Sequence, residues 1–539
     1  MKKAVFSLIV LIIVISSYTN ALSINNDISW EPWANSVFEK AKKENKFVIL
    51  DLEAVWCHWC HVMHEETYRD PAVVELIKSH FIPVRVDQDS RPDLSNRYRE
   101  YGWPATIVFN SKGEEIIKRA GYISPDELKI ELQKIIDDPT PEESPLDISN
   151  IKYSNNPFLS EELKKELIKN HKTSFDPVLG GLKTRQKYLD RDSVEYSLII
   201  VKNNQEKEMA KKTLDAAIML IDPVWGGVYQ YSTMSGWNYP HFERLASLQG
   251  EYMKIYSLAY EIFKDPKYLK AAQDIYQYTK EFLSSPDGVF YVSQDADLKP
   301  GEHSSEYFNL DDNSRRKLGV PRVDKHIYSS QNGLLINGLV TLSTAANEKK
   351  YLDDAAKASE WIIKHRSINA GFSQTLSWIF RDWTSPETII KSIQWILSNK
   401  SLPERGFRHD EKDAAGPYLS DTVNMGQAFL SLYSITKDRK WLIYAEQAAR
   451  FIERNFEAPI AGFATAKPSC EVCAVRKPDI QVDENVVLVK FASELFKFVN
   501  DDSYREIAEH GMRFLATPEI ATRTITESGI LIADLKLKN

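Results

Sequence analysis

Two cysteines separated by two residues are the first candidates for chemistry. Cys57 and Cys60 form a C-x-x-C pair that follows an apolar run at 47–52. The run predicts a buried strand and the pattern at 57–68 predicts a helix, so Cys57 is expected at the helix N-terminus. The free N–H groups and the dipole at that end stabilise a thiolate, which is the nucleophile in disulfide exchange. Cys60, one turn further along, is placed to attack the resulting mixed disulfide, so we predict a redox-active pair.

The remaining two of the four cysteines form a second C-x-x-C pair, Cys470 and Cys473. Each pair closes a very short loop, and a disulfide stabilises a fold more as its loop lengthens, so stapling explains neither pair well. The second pair lies in a predicted loop between Pro468 and Pro478. We predict that it exchanges electrons with the first pair as a relay. An inert local disulfide and a four-cysteine zinc site are the alternatives.

Metal binding is an alternative for the first pair as well. Cys57, Cys60, His61 and His64 lie within about one and a half helical turns, and zinc takes such ligands. Consecutive helix positions point in different directions, however, and a second group of ligands is not close in the sequence. We therefore predict neither a metal site nor a cofactor, and zinc remains the alternative.

The first residues of the sequence predict export. Lys2 and Lys3 precede an apolar run from Ala4 to Ile15, and small residues follow as far as Ala21. This pattern is typical of a secretory signal peptide, here residues 1–22. The run is shorter than the ~20 residues that a membrane-spanning helix needs, and an uncleaved anchor is the alternative. We expect a periplasmic or secreted protein without a stable membrane span after signal cleavage.

Composition limits the domain number and the partners. A chain of 539 residues that is 43% hydrophobic is expected to fold into two or three domains. Lys and Arg total 68 against 76 Asp and Glu, a net charge of −8, and the sequence lacks a basic block with interleaved aromatics. Nucleic acid is therefore not an expected partner.

The pattern of apolar residues divides the chain in two. Alternating helix and strand signals predict a small α/β sheet over 28–138, and the proline-rich stretch after it predicts a linker over 139–155. From 156 to 539 helical periodicity dominates, with about twelve segments. Many are separated by a turn of glycine followed by a large apolar residue, as at 226–228 and 462–463. Six helical hairpins closed into an α/α toroid are predicted, with an irregular helical array as the alternative.

The first domain resembles thioredoxin in the string Trp-Cys-x-x-Cys after a buried strand. Asp51, six residues before Cys57, matches the buried carboxylate that takes the proton from the second cysteine of thioredoxin. Pro104 matches its cis-proline, which lies against the disulfide and binds substrate backbone. The resemblance implies four catalytic residues: Cys57, Cys60, Asp51 and Pro104.

A narrower resemblance extends over nearly the whole chain. The string Cys-His-Trp-Cys-His-Val-Met at 57–63 is similar to that of the spermatogenesis-associated protein 20-like family, and the chain looks like an exported bacterial-type member. Further matches lie at 30–33, 240–244, 294–297 and 330–334, where Gln331 replaces a tryptophan. The family implies an N-terminal α/β thioredoxin-like fold followed by an all-α (α/α)6 toroid of the six-hairpin glycosidase type.

Toroids of this type hold ligands in a funnel lined by aromatic residues and carboxylates. The candidates for substrate binding here are His241, Glu243, Asp295, Asp297 and Trp237. Glycoside hydrolysis needs two carboxyl groups at a defined separation, so a carbohydrate-active or glycan-binding barrel with an accessory thioredoxin-like domain is one alternative. Loop carboxylates that only order the mouth of the barrel are another.

The function that these patterns favour is an extracytoplasmic thiol–disulfide oxidoreductase. Its α/α barrel is expected to bind a partner or ligand. Protein thiols or disulfides are the expected partners of the cysteine pair, and a glycan or small polar ligand is the candidate for the barrel.

Overall fold

The computed structural model describes residues 27–142, 151–200, 204–370, 404–413, 415–467 and 479–538. The predicted signal peptide at 1–22, the second pair Cys470 and Cys473, and residues 143–150 of the predicted linker lie outside these ranges. Among the residues within them, none of the helices is both long and apolar enough to cross a membrane.

The first domain is built on a four-stranded sheet in the order β2-β1-β3-β4. β1 is parallel to β2 and antiparallel to β3, which pairs with β4. The strands are β1 (Phe47–Glu53), β2 (Phe81–Asp87), β3 (Ala105–Phe109) and β4 (Glu115–Ala120). The helices are α1 (Asn35–Glu44), α2 (His58–Glu65), α3 (Pro71–His80), α4 (Pro92–Tyr98) and α5 (Pro125–Asp137).

Both faces of this sheet are covered, which explains the continuous apolar run of β1. Val48, Leu50 and Leu52 belong to the apolar cluster shared with α1 and α4, whereas Ile49 belongs to the cluster shared with α3 and α5. A strand buried on both faces carries apolar side chains at every position instead of alternate ones. The thioredoxin-like α/β fold predicted from the sequence is confirmed.

Helices dominate the second domain. In chain order they are α6 (Glu161–Ser174), α7 (Arg191–Glu195, continued by a π-helix Tyr196–Ile200), α8 (Asn204–Ala217), α9 (Ala246–Phe263), α10 (Pro266–Tyr278), α11 (Ser329–Ala346), α12 (Lys349–Arg366), α13 (Leu419–Thr436), α14 (Arg439–Phe456), α15 (Val482–Val499), α16 (Asp502–Leu515) and α17 (Ser528–Lys538). Short strands join the loops: Tyr231–Ser232, Pro240–His241, Arg244–Leu245, Ser293–Gln294, Val323–Asp324, Ser367–Ala370 and Glu404–Phe407. Shorter helices are Ser305–Phe308, Asp312–Leu318 and Pro518–Ala521.

The odd-numbered helices of the second domain, α7 to α17, close into a ring. Contacts run from α7 to α9, α11, α13, α15 and α17, and α17 returns to α7. Each even-numbered helix precedes an inner helix in the chain, so helical hairpins repeat around the ring. This arrangement confirms the predicted α/α toroid, and we call it the ring domain.

A repeated hydrogen-bond pattern anchors the glycine turns to the inner helices. Gly227, Gly288 and Gly462 have φ of +77°, +82° and +77°, which glycine adopts without strain. The backbone N–H and C=O of an apolar residue one or two positions after each glycine are bonded by one side-chain amide. The pairs are Gln249 with Val228, Asn332 with Phe290, and Asn485 with Phe463. The Asn332 of the sequence motif at 330–334 therefore has a structural role.

Candidate redox site at the domain interface

Cys57 and Cys60 are joined in a disulfide at the start of α2. Cys57 is the N-cap residue of α2, and its Sγ accepts a hydrogen bond from the N–H of Cys60 at 3.2 Å. Once the pair is reduced, the same N–H and the helix dipole favour the thiolate form of Cys57. The structure therefore places the two sulfurs as the sequence predicts for a redox pair.

The other two catalytic candidates are Asp51, which lies on β1, and Pro104, which directly precedes β3 in the chain. Asp51 is buried, and its Oδ2 accepts a hydrogen bond from Nε of Arg85 at 2.8 Å. Burial raises the pKa of Asp51 although Arg85 opposes this shift, so the carboxyl can hold a proton at a higher pH than usual. The Trp103–Pro104 peptide bond is cis, and the carbonyl oxygen of Trp103 lies 3.6 Å from Sγ of Cys57. Their roles in proton transfer and substrate binding remain predictions.

The ring domain contributes a carboxylate that holds two histidines of α2. Oδ1 of Asp297 lies 2.8 Å from Nδ1 of His58, and Oδ2 lies 3.0 Å from Nδ1 of His61. Burial acts to raise the pKa of Asp297, but the hydrogen bonds from His58 and His61 hold it below its usual range. Burial acts to lower the pKa of His61, but Asp297 and Asp295 raise it. The result is a buried ion pair between the two domains.

Two further acidic residues of the ring domain flank this ion pair. Oδ2 of Asp295 lies 3.7 Å from Nε2 of His61, and burial raises the pKa of Asp295 to about 6. Oε1 of Glu243 accepts the backbone N–H of His58 at 3.5 Å. Oε2 of Glu243 is buried without a hydrogen-bond partner in the described parts of the chain. All three predicted ligand-binding carboxylates, Glu243, Asp295 and Asp297, therefore face the thioredoxin-like domain.

The remaining two predicted ligand-binding residues have different surroundings. The ring of His241 stacks on Tyr231 at 4.4 Å, and its Nδ1 lies 3.8 Å from Oε2 of Glu243. Trp237 is buried, and its indole N–H donates to the carbonyl of Leu179 at 2.9 Å. His241 thus adjoins the carboxylates, whereas the contacts of Trp237 are those of a packed core residue.

The ligands of the alternative zinc site do not converge. His64 faces Arg85, with Nδ1 of His64 2.8 Å from Nη1, while His61 faces Asp297. Within the described ranges, the group whose ligand atoms lie close enough to share a metal ion is His61, Asp295 and Asp297, all within 4.8 Å. Nε2 of His61 lies 3.1 Å from the carbonyl of Val55, so acceptors already face both ring nitrogens. A protonated imidazole held by carboxylates accounts for this geometry.

Comparison with known proteins supports both domains. A family model described as Thioredox_DsbH, Protein of unknown function, DUF255, matches residues 11–137. Spermatogenesis-associated protein 20 of Mus musculus is 26% identical over 313 residues, which cover 51% of this chain and 39% of that protein. The uncharacterized protein B0495.5 of Caenorhabditis elegans is 25% identical over 474 residues, 64% of each chain. The chain is thus similar to the spermatogenesis-associated protein 20-like family.

The chain spans less than two thirds of the length of either of those relatives. Its first domain is also similar to thioredoxin H7 of Arabidopsis thaliana, with 38% identity over 104 residues that cover 19% of this chain and 74% of that protein. The similarity agrees with the thioredoxin-like sheet and with the position of the C-x-x-C pair.

The domain interface also contains two half-buried carboxyl groups at the end of β2. Oδ1 of Asp87 accepts the N–H of Val55 at 3.3 Å, and Oδ2 of Asp89 accepts the indole N–H of Trp56 at 2.6 Å. Burial raises the pKa of Asp87 to about 8, with Asp89 and Asp324 of the ring domain adding to the effect. Burial raises the pKa of Asp89 to about 6. These carboxyl groups make the interface sensitive to pH.

We expect Asp87→Asn to stabilise the protein at alkaline pH. The pKa of Asp87 is higher in the folded state than in the unfolded state, where it is near 4. The contribution of this carboxyl to the free energy of unfolding is therefore fully present below pH 4 and is lost as pH rises towards 8. Asparagine keeps an oxygen for the Val55 N–H and cannot ionise. The variant should exceed wild type by about 1–2 kcal/mol in free energy of unfolding at pH 8.5, and match it near pH 4. Urea titrations at both pH values test this, with the exposed Asp137→Asn as control; equal pH slopes for wild type and Asp87→Asn would refute it.

Proposed function

We propose that this chain is an extracytoplasmic thiol–disulfide oxidoreductase that acts through Cys57 and Cys60. The observation that carries the proposal is the disulfide at the start of α2, with Cys57 Sγ accepting the N–H of Cys60. The compartment rests on the signal peptide predicted over residues 1–22. The ring domain forms one wall of the redox site through Glu243, Asp295 and Asp297.

The exchange needs only the two sulfurs and a proton acceptor. The Cys57 thiolate attacks a substrate disulfide, a bond forms between Cys57 and one substrate sulfur, and the other substrate sulfur leaves as a thiolate. Cys60 then loses its proton and attacks Cys57, which releases the second substrate thiolate and restores the disulfide. Asp51 is the carboxyl proposed to take the Cys60 proton, because its raised pKa suits proton transfer. The reverse sequence oxidises a substrate dithiol.

The contacts of the ring carboxylates favour this role over glycoside hydrolysis. Hydrolysis requires one carboxyl group as acid and another as base or nucleophile, both turned towards a sugar. Both oxygens of Asp297 are instead engaged by His58 and His61, and Oε1 of Glu243 accepts the N–H of His58. These carboxylates support the helix that carries the disulfide.

We propose the second pair, Cys470 and Cys473, as the electron relay. Gln481, a few residues after this pair in the chain, donates to the carbonyl of Asn96 in the thioredoxin-like domain at 3.1 Å. An inert local disulfide remains the competing role for the pair.

The first experiment is a redox titration of the full chain in glutathione buffers. Samples are quenched by alkylation and both pairs are mapped by mass spectrometry, for wild type and for Cys470→Ser/Cys473→Ser. We expect Cys57–Cys60 to cycle reversibly in both proteins, and thiols at 470 and 473 to appear as the reduced first pair reoxidises. A first pair that never cycles would contradict the oxidoreductase. Thiols at 470 and 473 that never change with the first pair would contradict the relay alone.

A further inference from the structure

Backbone groups beside the disulfide are already bonded to the ring domain. The carbonyl of Trp56 accepts the N–H of Ala296 at 3.3 Å, and the N–H of His58 donates to Glu243 Oε1 at 3.5 Å. An extended peptide docks on a protein by hydrogen bonds between backbones, with side chains in flanking pockets. On this face a ring segment therefore takes bonds that a substrate polypeptide would need.

A side chain of the ring domain also packs against the two cysteines. Leu245 packs in one apolar cluster with Cys57, Cys60, Trp56 and Trp103. Cys57 is 4% exposed and Cys60 is 3% exposed. A polypeptide cannot lay its backbone along Cys57 while this cover is in place.

Contacts away from the disulfide hold the domains in this closed arrangement. Both terminal nitrogens of Arg99 donate to the Asp483 carboxylate, at 3.1 and 3.0 Å. Arg523 of the ring domain pairs with Glu100. Because such contacts add to the buried ion pair of Asp297, we expect an open arrangement to be a minor state.

Aromatic side chains lie on the solvent-facing side of the site, and we call them the aromatic rim. Trp59 is 43% exposed, and the ring of His58 lies edge-on to Trp59 at 5.3 Å and to the exposed His303 at 5.6 Å. His58 directly follows Cys57 in the chain. A small molecule that approaches along this rim has to reach only the Cys57 sulfur, whereas a polypeptide also has to place its backbone beside it.

We propose that low-molecular-weight thiols and disulfides, rather than polypeptides, are the substrates of Cys57–Cys60 in the assembled chain. This inference rests on the proposed oxidoreductase function and names its substrate class. In the reductive direction a small thiolate attacks Cys57, a mixed disulfide forms, and Cys60 leaves as a thiolate that takes up a proton. A second small thiolate attacks the bound small-molecule sulfur, which releases a small disulfide and the Cys57 thiolate. Two small thiols are oxidised and one protein disulfide is reduced.

The test compares two thiols of the same chemistry and different size. The probes are N-acetylcysteine methylamide and a twelve-residue Gly/Ser/Ala peptide with one central cysteine, and the readout is loss of the Cys57–Cys60 disulfide in the full chain after acid quenching. We expect the peptide to react roughly 10- to 1,000-fold more slowly, because it reacts only with the minor open state.

Variants of the domain contacts separate access from chemistry. Arg99→Ala/Arg523→Ala should raise the peptide rate roughly threefold or more and leave the small-thiol rate unchanged, because it weakens two interface ion pairs. The matched control is Arg69→Ala, whose partner Glu65 belongs to the same domain. Equal rates for the two probes, or a slow peptide rate that the double variant leaves unchanged, would overturn the proposed substrate class. Failure of both probes would overturn the oxidoreductase function itself.

Discussion

The Cys57→Ser variant is expected to lose thiol–disulfide exchange completely, while Cys60→Ser keeps a reactive thiol at position 57. Cys57 caps α2, where its sulfur accepts a backbone N–H, and this favours its thiolate. Cys60 lies inside the helix and lacks that position. We expect the Cys57 thiol of Cys60→Ser to react with iodoacetamide at least about 100-fold faster at pH 7 than the Cys60 thiol of Cys57→Ser.

The pH dependence of the same alkylation provides the mechanistic readout. In Cys60→Ser the rate should rise with an apparent pKa for Cys57 below the ~8.5 of a free thiol. The Cys57→Ser/Cys60→Ser variant measures any background from Cys470 and Cys473, which remain in all three proteins. Equal reactivity of the two single variants would mean that the helix terminus does not select the nucleophile.

The Asp297→Asn variant is expected to lose about 2–4 kcal/mol of free energy of unfolding near pH 6. The carboxylate is buried and bonded to two histidines, so asparagine removes a charge and leaves the His61 imidazolium without its main partner. Removing one member of a buried charge pair costs more than losing a surface pair, because the remaining charge stays desolvated.

The signs of the pKa shifts give this effect a definite pH window. The lowered pKa of Asp297 makes its contribution present above the unfolded value near 4 and lost as pH falls. The raised pKa of His61 makes its contribution present below about 6.5 and lost as pH rises through the raised value. Urea titrations of wild type and variant should therefore differ most at pH 5–6 and least at pH 9. The exposed Asp353→Asn serves as control, and a difference that does not depend on pH would contradict the ion pair.

Features that depend on neighbouring residues could be predicted from the sequence. The apolar run of β1 and the cysteine spacing indicate a strand that leads into a helix capped by Cys57. The glycine turns are also visible in the sequence, because Gly227 and Gly462 adopt a positive φ that other residues rarely adopt. The repeat of helical hairpins follows from these local signals, and closure into a ring is the arrangement that such a repeat favours.

Contacts between distant parts of the chain could not be predicted in this way. His58 and Asp297 are 239 positions apart, and neither residue alone indicates an ion pair between domains. Sequence reasoning placed Asp297 and Glu243 in an open ligand funnel and Trp237 beside them. In the structure the two carboxylates face α2, and Trp237 bonds the carbonyl of Leu179. One sequence signal could have linked the histidines to the carboxylates. It is the presence in one chain of the Cys-His-Trp-Cys-His string at 57–61 and the Gln-Asp-Ala-Asp motif at 294–297.

The closing contact of the ring, between α17 and α7, has a consequence for biosynthesis. Residues 27–142 leave the ribosome hundreds of residues before α17 (Ser528–Lys538), and N-terminal domains generally fold first during synthesis. The nascent thioredoxin-like domain therefore presents Cys57 and Cys60 before Leu245 and Asp297 have been made. During that interval the two cysteines lack the ring-domain contacts that bury them in the finished chain. The environment of the pair thus changes from exposed to enclosed as the ring domain folds against it.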